Sequence, residues 1–187
     1  MNPPCPNIGT NANPTRFVAY AEGDLALVRI VGPGVCRESG RFETLLRDVM
    51  QRGFSRLVLD LTECPRMDST FVGAVLRLAD QTLDTQPAHP PLRAYVANPS
   101  PAVHDLLDTL CLNDLLPTVP LPAIPTAQEV ALNDDDLQRT EILALSVDAH
   151  ERLSRLTPEN ARRFSGVLAA LRAELDTPSP PVSSRPS

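Results

Sequence analysis

The segment "CPRMDSTFVG", Cys64 to Gly73, holds residue types able to do chemistry at a telling spacing. An apolar run, "RLVLDL", leads into it and carries the carboxylate Asp60 near its end. A helical pattern, "AVLRLADQTL", leads away. Between the two, Asp68 precedes the hydroxyls of Ser69 and Thr70. A strand that runs into a helix needs a cap. Asp, Ser and Thr are all preferred there, because their oxygens accept from the unpaired N–H groups of the first turn. The same position suits a phosphate, since a helix N-terminus offers donors and a positive field. Phosphorylation of a hydroxyl there adds about −1.5 to −2 charge and acts on whatever docks over the surface while sparing the fold. A plain cap and a modifiable switch are both compatible with these residues.

The neighbours of the hydroxyls also carry two readings each. Asp60 either accepts backbone N–H bonds where the strand enters its loop or belongs to a partner- or phosphate-handling surface. Phe71 is either a core ring or an exposed aromatic that anchors an interface. Cys64 is a candidate thiol, but Arg66 is the sole basic residue beside it.

Other chemistries find little support. The sequence shows no Gly-rich phosphate loop and no Ser-His-Asp constellation with supporting context, so an enzyme is not expected. The cysteines Cys5, Cys36, Cys64 and Cys111 lack C-x-x-C spacing, and His89, His104 and His150 lie in different segments. Neither a metal nor a cofactor is expected. The net charge is −6 and all 17 basic residues are Arg, with no basic stripe. With aromatics at 4%, a nucleic-acid surface is not expected either. No apolar run approaches the roughly 20 residues that cross a bilayer, and the first residues lack an apolar signal region. These readings point to a soluble, cytoplasmic protein.

The elements that must position the hydroxyls follow from periodicity. The 187 residues, 42% of them hydrophobic and none of them Trp, suit one domain with appendages and a core of Leu, Val and Ala. "RFVAYAEGDLALVRIVG" reads as two strands around a Gly23-Asp24 turn. "SGRFETLLRDVMQRG" is a helix ended by Gly53. "SRLVLDL" is an interior strand. The helix after Thr70 buries Val72, Val75, Leu76, Ala79 and Leu83. "PLRAYVAN" is another strand, and Ser100 and Pro101 open the next helix. "LLPTVPL" is a short edge strand at best, because Pro removes donors. Thr126 and Glu129 form a capping box.

Beyond Asn133 the character changes. "NDDDLQRTEILALSVDAHERLSRL" is an amphipathic helix with Ile142, Leu145, Ala149, Leu153 and Leu156 on its stripe. Asp148–Arg152 and Glu151–Arg155 pair along it. Thr157-Pro158 restarts a second helix with Phe164, Val167, Leu168, Leu171 and Leu175. Neither helix can bury its stripe alone. The pair is an intramolecular brace, a homodimer element or a partner-docking arm.

"LVLDLTECPRMDSTFVGAVLRLA" resembles the signature of STAS domains, the fold of anti-sigma factor antagonists. There a strand ending in Asp leads to an Asp-Ser-Ser/Thr-Gly-Leu-Gly stretch that opens a helix. Asp60 matches the strand aspartate; Asp68, Ser69, Thr70 and Gly73 match the second stretch. Phe71 and Val72 depart from the family's Gly and Leu. The resemblance implies an α/β fold: a mixed sheet of 4–5 strands with helices mainly on one face, here with a C-terminal helical extension. The organisation expected is a disordered tail over 1–15, a STAS domain over 16–132, two helices over 133–176 and a disordered tail over 177–187. The resemblance also implies a bacterial signalling protein that binds an anti-sigma factor acting as a serine kinase, and so releases sigma. The kinase phosphorylates Ser69 first and Thr70 second, and a phosphatase resets the switch. Asp60, Asp68, Phe71 and Gly73 are the expected partner contacts. The alternative is a phosphorylation-independent STAS adaptor in a signalling or transport assembly.

Overall fold

The computed structural model describes residues 15–79, 92–123 and 139–176. The Thr126–Glu129 capping box, Leu83, residues 1–14, 133–138 and 177–187 lie outside the described residues. Thr15, expected in the first disordered tail, is instead fully buried, and its hydroxyl donates to the Pro33 carbonyl at 2.8 Å.

A four-stranded mixed sheet organises the chain. Strands β1 (Arg16–Glu22) and β2 (Leu25–Val31) form an antiparallel hairpin. Gly23 sits in its turn at φ +58°, a conformation in which a side chain is strained. Parallel pairing then adds β3 (Arg56–Asp60) to β2 and β4 (Arg93–Ala97) to β3, giving the order β1-β2-β3-β4. Each parallel step needs a crossover. Helix α1 (Ser39–Gln51), entered through a 3-10 turn at Cys36–Glu38, makes the first, and α2 (Ser69–Ala79) lies in the second. Helices α3 (Pro101–Thr109), α4 (Arg139–Leu156) and α5 (Pro158–Leu175) follow.

The period-2 alternation of strands sorts the side chains into two layers. Ala26, Val28, Ile30, Leu57, Leu59, Ala94 and Val96 join the helices in the main core. Leu25, Leu27, Val58 and Ala97 point to the other face, where Tyr20, Tyr95 and Val119 cover them. The expectation of a purely aliphatic core needs correction. Phe17, Phe42 and Phe71 form a ring cluster, with the Phe42 and Phe71 centroids 4.7 Å apart. These rings fill the space between β1, α1 and α2. The "LLPTVPL" segment adds one parallel bridge, Val96 to Thr118, beside β4. Pro117 and Pro120 lack the N–H groups that would extend it.

Local chemistry starts α3 and α5 as the residues dictate. Ser100 and Thr157 are the N-caps, each accepting an N–H from the third helical residue, with Pro at the first helical position. The C-terminal helices pack on the domain rather than projecting from it. Leu153 and Phe164 belong to the main core. Asn160, in the first turn of α5, donates from Nδ2 to the Leu110 carbonyl at 2.9 Å, and Arg163 donates to the Thr109 carbonyl at 2.7 Å. Two carbonyls at the end of α3, which no helical N–H reaches, are thus satisfied by α5.

Candidate functional site at the start of helix α2

Asp68 fixes the start of α2. Its Oδ1 accepts the Phe71 N–H at 2.9 Å, and its Oδ2 accepts the Cys36 N–H at 2.7 Å. One carboxylate therefore caps the helix and holds the turn ahead of α1. Burial pushes the Asp68 carboxyl above its ordinary range, against the pull of those two N–H groups and of His150.

Ser69 is the first residue of α2 and is half-buried, because α4 lies over it. Its Oγ is 2.9 Å from Nε2 of His150. Nδ1 of the same ring is 2.7 Å from the Ser146 carbonyl. A carbonyl can only accept, so Nδ1 carries the proton. Burial lowers the pKa of His150, although the Ser146 carbonyl and the Asp68 carboxylate pull the other way. The ring is therefore neutral, its Nε2 is bare, and the Ser69 hydroxyl donates to it. Phe164 of α5 packs edge-on against the imidazole, with centroids 5.1 Å apart. Ser146 donates to the Ile142 carbonyl at 2.9 Å, which leaves its oxygen to accept from the Cys36 thiol at 3.3 Å.

One turn along α2, the backbone of α4 approaches closely. A Cβ placed on Gly73 would collide with Ala149, coming within 2.6 Å of its Cα. Gly73 is thus a flat spot that admits α4 rather than an exposed surface. Further along, Arg77 of α2 pairs with Glu43 of α1 and lies 3.8 Å from Asp148 of α4. Asp148 also pairs with Arg152 at 2.9 Å, and Glu151 with Arg155 at 3.6 Å. Burial raises the Glu43 carboxyl even though Arg77 opposes it.

The remaining sequence-stretch residues separate into two groups. Thr70 is buried, and Phe71 is fully buried in the ring cluster. Asp60 is also fully buried, but on its own partners. Arg29 Nε donates to it at 2.7 Å and the Thr62 N–H at 3.1 Å. Burial favours the neutral acid, but the hydrogen bonds from Thr62 and Arg29 outweigh it and hold the carboxyl below its ordinary range. The structure therefore brings Asp68, Ser69 and Gly73 together beneath α4, whereas Asp60 is engaged with Arg29 and Thr62. The Cys64 thiol is buried, and burial raises its pKa, which makes it a poor nucleophile.

Sequence reasoning missed Ser146, His150 and Asn160. A signal existed for the first two. They stand four residues apart on the stripe that Ile142, Ala149 and Leu153 define, and polar residues on a buried stripe need partners. Among the described residues no group of His, Cys, Asp or Glu could hold a metal ion. No described helix is long and apolar enough to cross a membrane.

A family model described as STAS domain matches residues 16–129, more than half of the chain. Similar solved structures include a putative anti-sigma factor antagonist from Thermotoga maritima, at 14% identity over 55% of this chain and 84% of that one, TM-score 0.48. The unphosphorylated anti-sigma factor antagonist SpoIIAA has 18% identity over 56% and 88%, TM-score 0.46. An anti-sigma factor antagonist from Mycobacterium paratuberculosis has 15% identity over 58% and 87%, TM-score 0.48. A search of curated proteins gave no match.

Proposed function

The chain belongs to the STAS domain family, and from that premise we propose that it is an anti-sigma factor antagonist in the bacterial cytoplasm. It is a binding protein rather than an enzyme. Its partner is an anti-sigma serine kinase that docks over the start of α2, and Ser69 is the phosphoacceptor. In the transfer, the Ser69 Oγ forms a bond to the γ-phosphorus of a nucleoside triphosphate. The bond from that phosphorus to the leaving diphosphate oxygen breaks, and the hydroxyl proton passes to a base of the kinase. A phosphatase reverses the modification by hydrolysis.

The observation that carries this reading is the placement of Ser69. It is the first residue of a capped helix, and its hydroxyl meets His150, on an element from another part of the chain. Thr70 is buried and stands second as an acceptor. Asp68 and Phe71 set the position of Ser69 from beneath, and Gly73 keeps the docking face flat. Asp60 braces the end of β3 through Arg29, whose guanidinium reaches the surface.

Intact-mass and peptide mass spectrometry of the protein from its own host tests the reading, alongside Ser69→Ala and Thr70→Ala. A phosphate within Met67–Arg77 that disappears in Ser69→Ala supports it. One observation favours the second reading, a phosphorylation-independent adaptor: α4 covers Ser69 in the folded chain. No phosphate under growth or stress, with a partner still co-purifying, selects that reading.

A further inference from the structure

We propose that the α4–α5 hairpin is a tethered occupant of the surface headed by Ser69, and that a phosphoryl group on Ser69 expels it. The proposal rests on Ser69 being the acceptor, and it adds what the modification does to the chain itself. A partner that docks over Ser69 and Gly73 must displace α4 first, because Ala149 already fills the space above Gly73. The hairpin is therefore a competitor supplied in cis.

Three features of the contact make phosphate and hairpin incompatible. The Ser69 Oγ is already at hydrogen-bond distance from His150, so three further oxygens and a phosphorus have no room between them. Ala149 bears on Gly73 one turn away, so a wedge at Ser69 lifts α4 from α2 instead of being absorbed. The charges are also wrong. Asp68 lies beside the hydroxyl, and the group facing it from α4 is a neutral imidazole. Arg77, the cation along α2, is engaged by Glu43 and Asp148. A phosphate dianion buried between a carboxylate and a neutral ring is strongly disfavoured.

The released hairpin uncovers an apolar face, with Ala149, Leu153, Phe164 and Leu171 buried in the closed form. It also withdraws the Asn160 amide from the Leu110 carbonyl. These contacts bias the unmodified chain toward the closed form. By linkage, whatever favours the closed form disfavours phosphorylation equally, and phosphate disfavours closure by the same factor.

The test uses the full chain carrying phosphoserine installed biosynthetically at position 69, compared with the unmodified chain by amide hydrogen exchange. The expected result is a loss of about tenfold or more in protection across residues 146–153 and in α5, with the protection of β2 and β3 unchanged. A closed control comes from Ser146→Cys, whose thiol would face that of Cys36 across the 3.3 Å Sγ–Oγ contact. Oxidised to that disulfide, the unmodified chain sets the α4 protection of the closed form. Unchanged or raised protection of α4 in the phosphorylated chain overturns the proposal, since it means an imidazolium–phosphate pair holds the hairpin shut. Loss of protection in β2 and β3 together with α4 overturns it too, because the phosphate then unfolds the domain instead of opening it. Absence of phosphate from Ser69 in the host removes the proposed function alone, because release is read on phosphoserine already in place.

Discussion

At the end of β3, Asp60 is fully buried, paired with Arg29 and hydrogen-bonded by Thr62. Farther along the same loop, Asp68 is held by two backbone N–H groups, and burial raises its pKa where that of Asp60 is lowered. The first carboxylate keeps its charge because a cation and a hydroxyl from its own neighbourhood compensate it. The second sits at a helix start where the covering element, α4, comes from far along the chain and faces it with a neutral ring. A compensated buried charge is a fixture of the fold. A helix start closed only by neutral polar contacts is a place where one added charge changes which elements pack.

Phe71→Ala removes a fully buried ring on the underside of α2 and should cost about 3–5 kcal/mol in urea unfolding. That loss is global, so protection in the sheet and in the hairpin should fall together. Ala149→Glu puts a carboxylate against Gly73. It should release the hairpin at a cost of about 2–4 kcal/mol to the closed form, read as lost protection in α4 and α5 with β2 and β3 intact. Arg29→Ala strands the Asp60 carboxylate. Because Arg29 reaches water and Thr62 remains, the cost should be about 2 kcal/mol, lower than for a fully buried pair. Hairpin protection measured relative to the sheet should not change. If Arg29→Ala loosens α4 selectively, the two regions are one unit and the comparison fails.

The smallest effect is a pH dependence. The pKa of His150 is lowered by burial, so the folded chain binds fewer protons there than the unfolded chain. Its contribution is present above the ordinary histidine value of about 6.5. It is lost as pH falls from there toward the lowered folded value. Asp68 and Glu43, both raised, act in the opposite direction as they protonate. The difference between wild type and His150→Gln isolates the ring. Thermal melts between pH 7 and pH 5.5 should converge as pH falls. Parallel curves would remove His150 from the account.

Much of the fold was legible because its signals are local. The Gly23-Asp24 turn, the Ser100-Pro101 and Thr157-Pro158 starts, and the Asp148–Arg152 pair each involve residues within a few positions of one another. The near-continuous apolar run of β3, buried from Leu57 to Asp60, is equally direct as the mark of an interior strand. The start of α2 was legible for the same reason, since Asp68, Ser69 and Thr70 are consecutive. What covers it was not. His150 meets Ser69 across 81 positions, and in the sequence it stands as a lone histidine. Asn160 likewise reads as an ordinary first-turn residue until α3 ends beside it. The stripe of α4 was read by its apolar members alone, so Ser146 and His150, which make the specific contacts, fell outside it. Phe71 could not be assigned to core or surface because its spacing put it at the margin of the helix face. The ring cluster with Phe17 and Phe42 decides its place.

The central claim is that Ser69 is a phosphoacceptor whose access α4 controls. The most direct test incubates wild type and Ala149→Glu with host lysate and a nucleoside triphosphate, and follows the Ser69 peptide by mass spectrometry over time. Phosphate is expected to accumulate on Ser69 in both, several-fold faster in Ala149→Glu. Phosphate absent from Ser69 in both chains, or accumulating at equal rates, would contradict it.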